Sequence, residues 1–298
     1  MSYGFREFIF VTKYVIHHPL IDLEIALVEL HKLVIHEEIL PRFLNQLVNN
    51  IRSRQLLMHP IIVDRQHFIV LDGMHRIAAL QKLGCHFIPV CLIDYQNPHI
   101  AIGSWFRVIH SSLSKQDVRA LLSQQYHLKE QNRDKAQNLV ENRQALAALI
   151  LASKCYTLHC THADSHEESI QDIYHEIQNI ESSLQKSQFS ITYETDTDAF
   201  IRLTATDSTP ILQTPTVRKS EVVAAALRNQ LFNHKTTRHM IPLRPMFLNI
   251  PLEWLYSEAS PTAINQKLVR YLSTKSYRRY PPGHVFDRRY DEELYVFN

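Results

Sequence analysis

Between Pro60 and Tyr95 the chain reads PIIVDRQHFIVLDGMHRIAALQKLGCHFIPVCLIDY, the stretch that limits its folding choices most tightly. Ile61 to Val63 and Phe68 to Leu71 are short apolar, β-branched runs of strand length, and the second stops at Asp72-Gly73. Ile77, Ala78, Leu80 and Leu83 then recur at helical spacing, and Gly84 stands where a helix should end. Phe87 to Ile93 resumes as a strand. The order strand, D-G-M-H-R turn, helix, strand follows. Gly73 permits close backbone approach, and the helix after it aims N–H groups and a positive dipole end at whatever lies over the turn. An anion is the natural occupant, with His75 and Arg76 as added donors. From the turn alone a second reading stands equally: Asp72 only caps the helix, and His75 and Arg76 are surface residues.

At 298 residues the chain suits two domains, and 45% hydrophobic with 21% charged residues is globular composition that argues against wholesale disorder. Thirty-two Lys and Arg against 30 Asp and Glu leave only +2, too balanced to predict nucleic-acid binding. No segment reaches the roughly 18 uninterrupted apolar residues of a membrane span, and a soluble cytoplasmic protein is expected. Four cysteines, with Cys85 and Cys91 in or beside predicted strands, read as reduced core thiols.

Near the start, Phe8 to Val11 reads as a short strand. Glu24 to Leu33 fits an amphipathic helix, yet Leu33-Val34-Ile35 before His36-Glu37-Glu38 also fits a strand end that delivers polar residues into a loop. Pro41 opens a helix with Phe43, Leu44, Leu47, Val48 and Ile51 on its apolar face. Glu37 then falls at a loop suited to chemistry; as the residues stand, Glu37 and Glu38 also fit first-turn acids that favour the helix dipole.

Beyond Tyr95, Trp105 and Phe106 lead a strand-like Gly103 to Ile109, and Ser114-x-x-Asp117 reads as a capping box for a helix through Gln125. Ala145 to Cys160 is apolar and open to either a hairpin or a helix. Ile170, Ile173, Ile177, Ile180 and Leu184 mark an amphipathic helix within Asp164 to Lys186. Phe189 to Tyr193 and Phe200 to Thr204 read as strands, and Val217 to Leu231 as a helix starting near Lys219. HKTTRH, His234 to His239, packs two hydroxyls, Lys235 and Arg238 into a short loop that fits either a phosphate or carboxylate cradle or a solvated basic turn. Cys155, His159, Cys160, His162 and His166 are zinc-type ligands, but their spacing matches no paired form, and among 18 histidines a chance cluster is the simpler reading.

LVIHEEILPRFLNQLVNNI, the Pro60–Tyr95 stretch and LFNHKTTRHMIP, in that order, resemble the free L-serine kinases of the ParB/sulfiredoxin-like superfamily. These include an archaeal ADP-dependent serine kinase and a bacterial ATP-using enzyme that feeds siderophore biosynthesis. The resemblance covers Leu33 to Tyr95 and Lys219 to Pro245, with the middle loosely alignable. It implies an α+β fold: a ParB/sulfiredoxin-like N-terminal domain over residues 1–112, a second mixed domain over 113–255 that carries the substrate loop, and an active site in the cleft between them. Residues 256–298, with the Arg278-Arg279 and Arg288-Arg289 pairs, form an extension without an assigned role.

The implied activity is phosphorylation of free L-serine to O-phospho-L-serine, with ATP favoured over ADP as donor and Mg2+ on the phosphates, Asp72 being its candidate protein ligand. The resemblance makes Glu37 the general base. It assigns Asp72, Gly73, Met74, His75 and Arg76 to the nucleotide phosphates, and Trp105, Lys235, Thr236, Thr237, Arg238 and His239 to the substrate. Met74 stands where the archaeal enzyme has His, which leaves the backbone cradle intact. A sulfiredoxin needs a reactive Cys at that position, and Met cannot form the thiolate adduct. ParB proteins carry G-E-R-R at the turn followed by a helix-turn-helix, absent here; a ParB-like DNA- or nucleotide-binding regulator without kinase activity is the alternative reading.

Overall fold

In the computed structural model of the protein, residues 12–110, 115–161, 169–204 and 209–298 are described. Phe8 to Val11, Ser114, His162 and His166 lie outside them. Chain contacts define two compact units: one takes the chain up to Ala101 with Ala226–Gln230 and His239–Asn298, the other Ile102–Ala225 with Leu231–Arg238.

The first unit is built on a five-stranded sheet in the order Tyr14–Ile16, Leu23–Glu29, Phe87–Ile93, Ile61–Asp64 and Val70–Asp72. Ile61–Asp64 runs parallel to Phe87–Ile93, and the other pairings are antiparallel. The central strands are buried on both faces, which is why they read as continuous apolar runs. Phe68 takes a left-handed φ of 57° in the turn before Val70–Asp72, so the second apolar run starts later as a strand than its composition suggests. Leu23–Glu29 is a strand followed by a single 3-10 turn, Leu30–Lys32; the helix reading of Glu24 to Leu33 is corrected by six residues of antiparallel pairing with Phe87–Leu92. Helix Pro41–Arg54 opens on its proline and packs on helix Met74–Leu83.

The final segment belongs to this unit and is no appendage. Glu293–Phe297 lies between Leu243–Met246, in parallel, and Tyr277–Tyr280, antiparallel. Helix Pro261–Ser273 packs on the Leu23–Glu29 strand, where Asn265 accepts from the Leu27 amide at 2.7 Å and donates to its carbonyl at 2.8 Å. The Tyr14–Ile16 pairing reaches Ile25 among the described residues, and beyond it Asn265 satisfies both backbone groups of Leu27.

The second unit has an all-antiparallel six-stranded sheet in the order Ser190–Glu194, Phe106–His110, Ile211–Gln213, Ala147–Ile150, Cys155–Cys160 and Tyr126–Gln131. Ala145 to Cys160 thereby resolves as a hairpin. Helix Ile170–Lys186 starts at a Ser169–Asp172 capping box and buries the predicted isoleucine stripe. The strand expected over Phe200 to Thr204 is the end of a helix, Asp196–Thr204: the Thr195 hydroxyl accepts from the Asp198 amide, and Ala199 and Leu203 share a buried face one turn apart.

The contacts thus part the chain at Ala101 and Ile102, ahead of the boundary expected at 112, because Phe106–His110 pairs with Ser190–Glu194 and Ile211–Gln213. Cys85, Cys91 and Cys155 are buried, Cys160 is half-buried, and all four are free thiols. No helix among the described residues is long and apolar enough to cross a membrane.

Candidate active site

Gly73 is the N-cap of helix Met74–Leu83, at φ +104°, a conformation that L side chains rarely adopt. A Cβ there would lie 2.4 Å from Ile61 Cγ2 and within 2.9 Å of the Arg76 guanidinium. Asp72 is therefore not the cap. Its Oδ2 accepts from Arg76 Nη2 at 2.7 Å and from Arg244 Nη1 at 2.6 Å. Arg76 Nη1 also donates to the Pro60 carbonyl at 2.7 Å, and Arg244 Nε to Glu292 Oε1 at 2.6 Å. Burial alone would raise the Asp72 carboxyl; the Arg244 and Arg76 guanidiniums overcome it and hold the group far below the usual carboxylate range. Met74 and His75, both half-buried, occupy the first helical turn.

A second cluster of the same unit surrounds His36 and Glu37, 0% and 5% exposed, whereas Glu38 is exposed. Val34 bridges Ile69 in parallel, donating to the Phe68 carbonyl at 3.0 Å and accepting from the Val70 amide at 2.9 Å. The segment to Glu37 therefore travels alongside the strand that ends at Asp72. Burial pushes the His36 imidazole down to about 4 against an opposing hydrogen bond from the ring to the Val70 backbone, so the ring is neutral at physiological pH. His36 meets the His239 ring edge-on at 5.3 Å, and the Tyr95 hydroxyl lies 2.9 Å from His239 Nε2.

In the second unit Trp105 Nε1 donates to the Thr237 carbonyl at 3.0 Å, and Lys235 Nζ lies 4.0 Å from the Trp105 ring centroid. Arg238 is 5.9 Å from the same centroid and 3.7 Å from Asp196 Oδ1. The loop is not a solvated turn: Thr236 and Thr237 are 0% and 7% exposed. The Thr236 Oγ1 donates to the Asn233 carbonyl at 2.8 Å within the loop itself. Of the zinc-type residues, His159 Nε2 is hydrogen-bonded to the Thr157 hydroxyl at 3.0 Å. No group of three or more His, Cys, Asp or Glu suited to a metal ion occurs among the described residues.

No protein-family model matches the chain. An ATP-dependent L-serine kinase of Staphylothermus marinus is 29% identical over 245 residues, 80% of this chain and 93% of its own length. An ADP-dependent L-serine kinase of Thermococcus kodakarensis is 22% identical over 83% of this chain and 98% of its own. The chain is similar to free L-serine kinases over most of its length. This similarity supports a kinase. The solved structure of a free serine kinase variant with AMP superposes at a TM-score of 0.64 with 20% identity, covering 83% of this chain and 98% of that one. C-terminally truncated SbnI of Staphylococcus aureus does so at 0.63 with 17% identity, covering 84% and 96%. These two share the fold.

The residues singled out by sequence fall into three groups: Asp72 to Arg76 at the turn, Glu37 beside His36, whose ring meets that of His239, and Trp105 with Lys235 to Arg238. Four participants were not singled out from the sequence. Arg244 and Glu292 reach the turn from the far end of the chain, Tyr95 lies in the turn after the Phe87–Ile93 strand, and Arg107 lies inside an apolar strand. An arginine amid F-R-V-I-H is the one clue, since a charge is tolerated in a buried strand only with a partner.

Proposed function

We propose that the protein transfers the terminal phosphoryl group of a nucleotide, ATP in preference to ADP, to the hydroxyl of free L-serine. Glu37 accepts the hydroxyl proton as the serine oxygen bonds to phosphorus, the bond to the nucleotide's bridging oxygen breaks, and O-phospho-L-serine and the shortened nucleotide leave. The observation that carries this reading is the buried acid Glu37 on a segment running parallel to the strand that ends at the Asp72-Gly73 turn, in a homologue of L-serine kinases. Phosphates over the Gly73 turn would meet the positive end of helix Met74–Leu83, with Arg76 and Arg244 behind it. Lys235, Thr237, Arg238 and Trp105 are assigned to the serine, whose carboxylate suits the planar guanidinium of Arg238.

Asp72 does not fit a directly bound Mg2+, because its Oδ2 already faces two guanidiniums that would repel a divalent cation. Magnesium belongs on the nucleotide phosphates, where it neutralises charge during transfer. The test is a donor panel of ATP and ADP with free L-serine, with the product read by mass. O-phospho-L-serine from ATP, faster than from ADP, is expected. No product with either donor, together with salt-sensitive DNA binding, would replace the kinase with a ParB-like regulator.

A further inference from the structure

The loop between Asn233 and Thr237 is tied down at several points in the second unit. Asn233 Nδ2 donates to the Tyr174 carbonyl at 2.7 Å, and the Thr236 hydroxyl donates back to the Asn233 carbonyl. Two further ties converge on one side chain. Arg107 Nη2 donates to the Lys235 carbonyl at 3.3 Å and its Nη1 to the Trp105 carbonyl at 2.6 Å, while the Trp105 indole holds the Thr237 carbonyl. Arg107 therefore supports the loop directly and also supports the aromatic residue that grips the loop's next segment.

This guanidinium is 1% exposed. A charge so buried persists only when its donors are satisfied, and Arg107 Nε reaches Glu181 Oε1 at 2.7 Å while Nη1 also reaches Thr214 Oγ1 at 2.9 Å. Lys235 has a left-handed φ of 63°, a strained conformation for a residue with a side chain, and such strain persists where surrounding contacts over-determine the backbone. Lys235 Nζ in turn lies over the Trp105 ring.

We propose that Arg107 is a positioning residue for acceptor binding, presenting Trp105, Lys235 and Thr237 in a preformed arrangement while its charge is neutralised by Glu181. The proposal rests on the reading that this loop holds the serine. Preformation matters because ordering a loop at the moment of binding subtracts from affinity, whereas a loop already fixed binds without that cost.

The experiment compares Arg107→Lys and Glu181→Gln with Lys235→Ala and Arg238→Lys in the full chain. Lysine keeps the charge but cannot reach four acceptors at once, and Glu181→Gln keeps the shape while removing the counterion. Both are expected to raise the KM for serine about ten-fold, with the nucleotide KM unchanged within about two-fold. Trp105 emission, read without serine in a Trp254→Phe background, should shift in both. Should a thermal melt show Arg107→Lys unfolded, Glu181→Gln decides alone. If the two loop variants alter the serine constant while Arg107→Lys and Glu181→Gln do not, the inference falls and the loop keeps its proposed role. If none of the four alters it, the loop's role itself fails.

Discussion

A single methyl group at Gly73 is expected to disable the turn between the Val70–Asp72 strand and the Met74–Leu83 helix. The backbone sits at φ +104°, and an added Cβ would lie 2.4 Å from Ile61 Cγ2, 2.8 Å from Arg76 Nη2 and 2.9 Å from Arg76 Nε. Carbon atoms pack best at about 3.5–4.0 Å, so the first contact is impossible without movement. Ile61 is 0% exposed within the sheet and cannot retreat. The guanidinium can give way only by loosening its bonds to Pro60 and Asp72. Left-handed strain for a residue with a Cβ costs about 1–2 kcal/mol, and overpacking adds about 1–3 kcal/mol.

Gly84 supplies the control, since it too is left-handed at φ +77° but has nothing within 4 Å of its absent Cβ. Gly84→Ala carries the strain without the clash. Gly73→Ala should therefore melt lower than Gly84→Ala by roughly 2–12 °C, at about 2–4 °C per kcal/mol for units of this size. Calorimetry should show weakened nucleotide binding in Gly73→Ala alone. Equal melting temperatures and equal nucleotide affinities in the two variants would refute both the contact and the assignment of the turn.

Glu37→Gln keeps the side chain's shape but not its proton acceptance, so turnover should fall roughly 10²- to 10⁴-fold with the melt unchanged, while the exposed Glu38→Gln costs far less; a larger loss at Glu38 would reverse the assignment. Asp72→Asn should weaken nucleotide binding through a loosened Arg76 and Arg244, and titration with excess Mg2+ should not restore it; full restoration would make Asp72 a metal ligand after all. His36 and His59 are both held down to about 4, chiefly by burial, whereas the unfolded chain protonates histidine near pH 6.5. The unfolded state then binds more protons between about pH 6.5 and 4, so stability should decline as pH falls through that window and be insensitive to these groups above it. Urea melts across the window check this, and His36→Gln, which does not titrate, should flatten part of the slope.

The turn was legible in the sequence because its signals are local: two strand-length runs, a glycine on each side of a helix-spaced segment, and a closing apolar strand. Glu37 was half legible, since Leu33-Val34-Ile35 announced a delivering segment, but the parallel bridge of Val34 to Ile69 depends on a residue far along the chain. Phe200 to Thr204 misled because five residues satisfy a two-residue alternation as readily as a helical turn, and the Thr195 cap that decides the matter precedes them. Arg244 and Asn265 carry no local pattern at all. Arg244 meets Asp72 across 172 residues and Asn265 meets Leu27 across 238, so the last part of the chain read as an extension although it braces both the turn and the sheet edge.

The turn and the loop are supported by the same device. Behind the turn, Arg244 lies between Asp72 and Glu292; behind the loop, Arg107 lies between Glu181 and the carbonyls of Trp105 and Lys235. Each arginine is balanced by a glutamate, and each directs remaining N–H groups to the structure that carries the proposed ligand contacts. Such ionic cores are an expensive way to gain stability, because desolvation consumes most of the attraction, and apolar residues of similar size would serve a core as well. What apolar residues lack is direction. A guanidinium fixes several acceptors at once in one plane, and phosphoryl transfer depends on placing acceptor and phosphate within a fraction of an ångström rather than on covalent help from the protein. The cost of one buried and one largely buried arginine is therefore intelligible at the two segments where, on the proposed reading, placement is the catalysis.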